Sequence, residues 1–274
     1  MSLIRSLFQY PFMVNAFRAG TIVAILAGLM GWFTVLRRNT FAGHTLAVVG
    51  FPGAAGATLL GLPTSLGFFV SCQAAALVMA TLPHRAGSSS RSEESALIGT
   101  IQALLLAFGF LFVTLYRGNL NGLDALLFGS FLGITSGQVL LLAAVAAGCL
   151  GALAAIGRPL FFASVHPEVA SAGGVPVRPL SVAFLLLLAA SVAEAAQITG
   201  ALLVFALLVL PPATAHALTS RPIAGPAISV AVALAATWAG LAIAYYTPYP
   251  TGVFVTSLAF AAYLVTRSWA WVRR

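Results

Sequence analysis

Two titratable side chains lie in apolar stretches of this sequence, and both have chemistry suited to a cation. His44 comes near the start of one stretch and Glu194 near the end of another. Imidazole binds zinc, copper, nickel or iron, whereas carboxylate suits manganese better. Ionisable groups at membrane depth also act as ion or proton relays. The residue types therefore indicate cation handling, with His44 as a ligand or gate and Glu194 as an acid on the same route.

Each of these residues also has a plainly structural interpretation. His44 could lie at a membrane–water interface, where a loop ends and a helix starts. Glu194 could sit at a helix end and reach lipid headgroups or water. The sequence leaves both alternatives open, because the depth of a residue in a predicted span is uncertain by about one helical turn.

The composition identifies the class of protein. Of the 274 residues, 61% are hydrophobic and only 7% are charged, whereas soluble domains carry about 25% charged residues. So few charges exclude a soluble globule and a disordered chain, and two cysteines exclude a disulfide scaffold. The basic residues are all Arg and lie at the ends of apolar stretches, so no nucleic-acid partner is expected. The sequence predicts an all-α polytopic membrane protein in contact with lipid.

Runs of about 20 apolar residues predict eight or nine membrane-spanning helices. The candidates are residues 13–36, 44–62, 64–82, 96–116, 138–157, 181–196, 198–216, 226–246 and 251–267. We expect one transmembrane domain over residues 1–274. If the C-terminus is cytoplasmic, most arginines fall on the cytoplasmic side, as the positive-inside rule requires.

The connection over about 158–180 is the longest predicted internal loop, and it is expected to hold one short helix. Pro167 suits a first helical position, with Glu168 in the first turn. Gly173 and Gly174 suit a helix stop. Such a helix could dock another protein, or it could lie on the lipid surface as an interfacial helix.

The second predicted span has an unusual backbone, because Pro52 and Gly53 lie in its middle. Proline removes a backbone donor, so the sequence predicts a broken or loosened helix at this point. Broken helices at membrane depth commonly line transport paths. Small residues also allow helices to pack closely, and the sequence alone does not separate the two interpretations.

Five segments, in order along nearly the whole chain, resemble the ABC-3 family, the permease subunits of ABC transporters for zinc, manganese and iron. They are Leu36-Arg37-Arg38 with Gly43 and Pro52-Gly53; Leu127-Phe128-Gly129-Ser130; His166-Pro167-Glu168 with Ala170, Gly174 and Arg178; Gly200 through Ala215; and Tyr246 with Pro250-Thr251-Gly252. The resemblance implies a type II-like importer permease in the cell membrane of a prokaryote. It implies a homodimer that works by alternating access with cytoplasmic ATPase subunits and an external metal-binding protein.

The resemblance also assigns the coupling to the ATPase. It implies that His166, Pro167, Glu168, Ala170 and Gly174 belong to the coupling loop. It further implies that ATP binds to the partner subunit and that this chain is not an enzyme and holds no cofactor. The sequence agrees, because it has no Gly-x-x-x-x-Gly-Lys-Ser/Thr loop and no Lys to build one.

The second helix departs from the family pattern. The family has Asp where this chain has His44, and His where it has Val48. One candidate ligand is changed and the other is lost, which weakens manganese most and leaves zinc as the first candidate among divalent transition metals. The alternative is an ion-coupled secondary transporter that uses Glu194 and His44 as titrating groups.

Overall fold

The computed structural model describes residues 10–81, 88–116, 129 and 133–272, except for the side chains of 88–95 and 270–272. Within these ranges the chain forms nine long helices and one short helix. They are α1 (Pro11–Leu36), α2 (Thr40–Leu59), α3 (Thr64–Thr81), α4 (Ser88–Leu115), α5 (Ser136–Val165), α6 (Pro167–Ala172), α7 (Val177–Thr199), α8 (Ala201–Leu218), α9 (Ala224–Tyr245) and α10 (Thr251–Val272). The predicted all-α membrane fold is confirmed.

In the described part of the chain, seven of the nine long helices are long and apolar enough to cross a membrane. They are α1, α3, the Ala96–Leu115 part of α4, α5, α7, α8 and α9. The other two, α2 and α10, have 20 and 22 residues and are not among these seven. In α2 the glycines and His44 dilute the apolar residues.

Four helices form the interior of the bundle. In α1, α7 and α8, half or more of the most apolar segment of the helix is buried inside the protein. The buried share of that segment is 11% in α4 and 22% in α3. Helix α2 is buried along most of its length and packs against α3, α4, α7 and α8. A helix with apolar residues on all sides is typical of such an interior position.

Polar contacts at the two ends of α1 show how the helices run. Near the start of α1, the Asn15 side-chain amide donates to the Ile134 carbonyl oxygen at 3.1 Å, next to the start of α5. Just after α1, Arg37 contacts Ser164 at the end of α5 and Ser181 near the start of α7. Helices α1 and α5 therefore run in the same direction. We call the side of the bundle that contains these last contacts the Arg37 end.

The arginines of the described residues are distributed unequally between the two ends. Helix α9 starts at the Arg37 end, because Gly225 lies against the Trp32 indole, and α10 returns to that end after packing against α9 at Gly240. The arginines at the Arg37 end are Arg37, Arg38, Arg158, Arg178, Arg221 and Arg267, whereas Arg18 lies near the start of α1. This asymmetry agrees with the predicted topology.

One predicted boundary is wrong. Helix α5 continues through Pro159 to Val165, so residues 158–165 are helical and not part of a loop. At about 1.5 Å per residue, the 30 residues of α5 exceed the roughly 30 Å of a hydrocarbon core, so its last turns extend out of the apolar layer. The apolar part of α4, Ala96–Leu115, agrees with the predicted span over residues 96–116, and the helix itself begins earlier, at Ser88.

The predicted break at Pro52 is also wrong, because α2 is continuous from Thr40 to Leu59. A hydroxyl group of the neighbouring helix α3 lies close to the backbone near the proline. The Ser71 hydroxyl of α3 lies 3.1 Å from the Val49 carbonyl oxygen, one turn before Pro52. Side-chain hydroxyls of adjacent helices commonly satisfy backbone groups near a proline in a membrane helix.

Helices α2 and α3 approach each other at glycines. A Cβ atom built on Gly53 would lie 2.2 Å from Ser71 Oγ and 2.5 Å from the Gly67 carbonyl oxygen. A Cβ on Gly67 would lie 2.3 Å from the Gly53 carbonyl oxygen. The two backbones are in direct contact, and no larger residue fits without separating the helices.

We therefore expect Gly53→Ala to lower the thermal stability of the purified protein. The added methyl group has no space against α3, and overpacking of this kind typically costs about 1–3 kcal/mol. The melting temperature in detergent measures the effect. The control is Gly148→Ala in α5, because nothing lies within 4 Å of a Cβ at Gly148. Equal melting temperatures for the two variants would contradict the close approach of α2 and α3.

Candidate functional site

His44 lies in the second turn of α2, half-buried against α8. Its ring centroid is 4.5 Å from that of Phe205, and the Phe41 ring centroid is 6.4 Å away. The Nδ1 atom is buried and has no hydrogen-bond partner among the residues that the structure describes. A ring nitrogen that no protein group occupies has a donor or acceptor position available for a ligand.

The helical face that bears His44 carries no second ligand one turn later. Val48 occupies that position and is buried, with 8% of its surface exposed. Residues four apart on a helix are neighbours on the same face, so an apolar side chain takes the place where a second donor would stand. His44 is thus a single donor on its face.

Glu194 lies inside the bundle, where all the residues of the segment 191–196 in α7 are buried. Only 8% of its own surface is exposed. Within the described residues its carboxyl group forms neither a hydrogen bond nor an ion pair. This burial fits the interpretation as an interior acid better than that of a helix-end residue among headgroups. Contact with a transported ion stays a prediction.

The two groups are not bonded to each other in the described part of the chain. His44 and Glu194 lie on α2 and α7, which pack against each other, but they form no ion pair in the described part of the chain. The described residues also contain no group of three or more His, Cys, Asp or Glu side chains that could hold a metal ion.

Pro52 and Gly53 face other helices. Gly53 lies against α3, as described above. A Cβ on Gly109 of α4 would lie 3.1 Å from Pro52 Cα. Both contacts support the close-packing interpretation of this segment, whereas His44 faces α8. A path-lining role for Pro52 and Gly53 stays untested.

The short helix α6 has the predicted boundaries. Pro167 is its first residue, Glu168 stands exposed in its first turn, and Gly173 is the C-cap. Gly174 follows with φ 81°, a conformation that favours glycine, and the Val175 amide donates to the Ala170 carbonyl oxygen at 2.9 Å. These bonds form a Schellman motif, which fixes the end of the helix.

One face of α6 is anchored and the opposite side is free. Ala170 is fully buried, whereas His166, at the N-cap, and Glu168 are exposed. Val165 and Val169 expose 42% and 58% of their surfaces at the Arg37 end. The connection between α5 and α7 thus presents apolar side chains and one carboxylate outward, a combination suited to docking another protein.

The ABC 3 transport family matches residues 9–269 of this chain, which is nearly its whole length. The chain is a member of this family. It is 32% identical over 269 residues to the chelated iron transport system membrane protein YfeC of Yersinia pestis, covering 96% of this chain and 88% of that protein. It is 28% identical over 215 residues to the manganese transport system membrane protein MntC of Halalkalibacterium halodurans, covering 78% and 72%.

A solved structure has the same fold. PsaBC from Streptococcus pneumoniae, in complex with Fab, superposes with a TM-score of 0.84 at 24% sequence identity. The match covers 97% of this chain and 94% of that chain. The resemblance predicted from the sequence is confirmed, and this ABC 3 family member is a multi-pass membrane protein.

Sequence reasoning about this family member missed a polar contact at the Arg37 end. Arg37 was considered as one of the arginines that set the orientation and as part of the family-like segment Leu36-Arg37-Arg38, yet its Nη1 donates to Ser164 Oγ at 3.2 Å and its Nη2 to Ser181 Oγ at 2.5 Å. Its Cζ lies 5.4 Å from the centre of the Phe184 ring. Burial lowers the pKa of Arg37 from its ordinary value.

We expect His44→Phe to keep the fold and reduce transport. Phenylalanine preserves the ring contact with Phe205 and removes both ring nitrogens, whereas His44→Ala leaves a cavity that lowers stability by about 1–3 kcal/mol. Melting temperature and metal uptake into vesicles are measured for both variants. Wild-type uptake by His44→Phe would show that the ring matters only for packing and that the interpretation as a ligand is wrong.

Proposed function

We propose that this chain is the membrane-spanning permease subunit of an ATP-driven ABC importer for a divalent transition metal. The observation that carries the proposal is α6, a short helix held between two long helices with an exposed outer side. It occurs in a chain of a family whose named relatives belong to iron and manganese transport systems. A secondary transporter has no need of such a docking helix.

In this proposal the Arg37 end faces the cytoplasm. The unequal distribution of arginines supports that orientation through the positive-inside rule. The C-terminus, which follows α10, then lies in the cytoplasm, and the protein spans the cell membrane of a prokaryote. The opposite end receives the external metal-binding protein.

The proposed partners of this chain are a separate ATPase and a second copy of the permease. The chain contains no Lys and no phosphate-binding loop, so ATP is bound and hydrolysed by a separate ATPase that docks at α6. A second copy of the permease completes the pore. Large apolar side chains exposed on α9 and α10, such as Trp238 and Val265, are suited to lipid or to that second copy.

The metal passes between the interior helices, and alternating access switches the side to which this path opens. His44 offers an imidazole nitrogen, and Glu194 offers a carboxyl group that no described residue engages. Imidazole favours zinc and iron over manganese, and the loss of the family's Asp and His to His44 and Val48 removes the carboxylate that manganese prefers at that position. Zinc is therefore the first substrate to test.

The decisive experiment compares zinc, manganese and iron uptake by the complex of permease, ATPase and binding protein in proteoliposomes. We expect ATP-dependent uptake, with zinc taken up at least as fast as manganese. Vesicles without ATP are the control. Uptake driven by an ion gradient in the absence of the ATPase would overturn the proposal in favour of an ion-coupled secondary transporter.

We expect Glu168→Arg to abolish ATPase binding and uptake. The substitution reverses the charge on the exposed side of α6 but leaves the buried Ala170 in place, so the permease itself folds normally. Co-purification of the ATPase and metal uptake are both measured. Ser220→Arg, which adds a positive charge in the exposed connection between α8 and α9, is the control. If Glu168→Arg retains ATPase binding and uptake, the docking helix is misassigned.

A further inference from the structure

The Arg37 side chain lies between α1 and α2 and contacts both α5 and α7, the two helices that α6 connects. Ser164 lies one residue before the end of α5, and Ser181 lies in the second turn of α7. The Arg37 guanidinium donates to both hydroxyls, at 3.2 and 2.5 Å. The segment that contains α6 is thus held at both of its ends by one residue of another helix.

The backbone around Arg37 is fixed by its own hydrogen bonds. Arg37 is the C-cap of α1, and Arg38 follows in the left-handed region with φ 58°. The Asn39 amide donates to the Thr34 carbonyl oxygen at 2.9 Å, and the Arg38 amide to the Val35 carbonyl oxygen at 3.0 Å. This is a Schellman motif, and α2 begins directly after it at Thr40. A displacement of Arg37 therefore moves the start of α2, which bears His44 in its second turn.

A second, independent contact holds the same elements together. The Trp32 ring stacks on Phe161 of α5, with centroids 5.9 Å apart, and on His216 of α8, with centroids 5.4 Å apart. His216 Nε2 also lies 3.3 Å from the Trp32 carbonyl oxygen. This aromatic stack does not involve Arg37, so the end of α1 keeps its place against α5 when the guanidinium is removed.

The partners of Arg37 are neutral. Within the described residues the guanidinium meets two serine hydroxyls and the face of Phe184, and its buried Nε has no hydrogen-bond partner. Hydrogen bonds from a charged donor to neutral acceptors are weaker than bidentate ion pairs with a carboxylate. An attachment of this kind can be exchanged during a conformational cycle, whereas a buried ion pair would hold one state.

We propose that Arg37 is a positioning residue that transmits movement of α6 to α2. In the proposed importer, displacement of α6 by the ATPase shifts Ser164 and Ser181 and, through them, the guanidinium and the start of α2. The inference rests on the proposed function, because it requires an ATPase at α6. It adds a second route for the movement of α6. This movement is transmitted along the backbone of α5 and α7, and also through Arg37 to α1 and α2.

The test measures metal uptake and ATP hydrolysis in the same proteoliposomes, with the complex of permease, ATPase and binding protein. Arg37→Met removes the hydrogen bonds, Arg37→Lys keeps the charge and one donor group, and Ser164→Ala with Ser181→Ala removes both acceptors. Arg38→Met is the matched control, because it removes a neighbouring exposed arginine of the same turn. The quantity compared is metal transported per ATP hydrolysed.

We expect Arg37→Met, which removes both hydrogen bonds, to lower this ratio by about tenfold, an effect on the order of a hydrogen bond to a charged group. Hydrolysis should stay within about twofold of wild type, because the docking surface of α6 is intact. Arg37→Lys should recover part of the ratio, the double serine variant should lower it, and Arg38→Met should match wild type.

Two results would overturn the inference. If Arg37→Met lowers uptake and hydrolysis in equal proportion, Arg37 only stabilises the fold, and a lower melting temperature would accompany that result. If the double serine variant keeps the wild-type ratio, the hydroxyl contacts carry no coupling. Neither of these two results contradicts the proposed function, provided that the wild-type complex binds its ATPase and that Glu168→Arg abolishes this binding. A wild-type permease that binds no ATPase would overturn both proposals.

Discussion

Helices that pack together within a bilayer gain no free energy from leaving water, because lipid tails are as apolar as their own side chains. Close contact must come instead from backbones that approach each other. In this chain the approach is made at glycines, such as Gly53 and Gly67 between α2 and α3, and Gly31, where a Cβ would lie 2.3 Å from the Leu208 carbonyl oxygen. These contacts hold α2 and α8 in the interior, and every other feature of the site depends on that placement.

The same constraint explains why the candidate ligands are few and separate. An interior built from small and apolar residues has little room for polar clusters, and each buried polar group there requires a partner. His44 Nδ1 is among the few buried side-chain atoms of the described residues that have none. Glu194 is buried without a hydrogen bond among those residues. Both groups are set on neighbouring interior helices.

The features that could be predicted from the sequence are those encoded locally. The start of α6 at Pro167 and its end at Gly173 follow from turn and cap chemistry within a few residues, and both predictions are confirmed. The predicted break at Pro52 is wrong, and the surroundings of the proline, which include the Ser71 hydroxyl of another helix, are not encoded in the local sequence. The contacts of Arg37 were missed for the same reason: Ser164 and Ser181 are 127 and 144 residues away in sequence.

A helix of six residues has little stability of its own, because helix nucleation is unfavourable and short helices are marginal in water. The position of α6 is therefore set by specific contacts and not by its own stability. These are the burial of Ala170, the Schellman motif at Gly174, and the hydrogen bonds from Arg37 to α5 and α7 on either side of α6. In the proposed importer, a displacement of α6 would therefore reach these attachments, along the chain to α7, which bears Glu194, and through Arg37 to α2, which bears His44. The two candidate ligands thus lie on helices whose ends meet at one guanidinium.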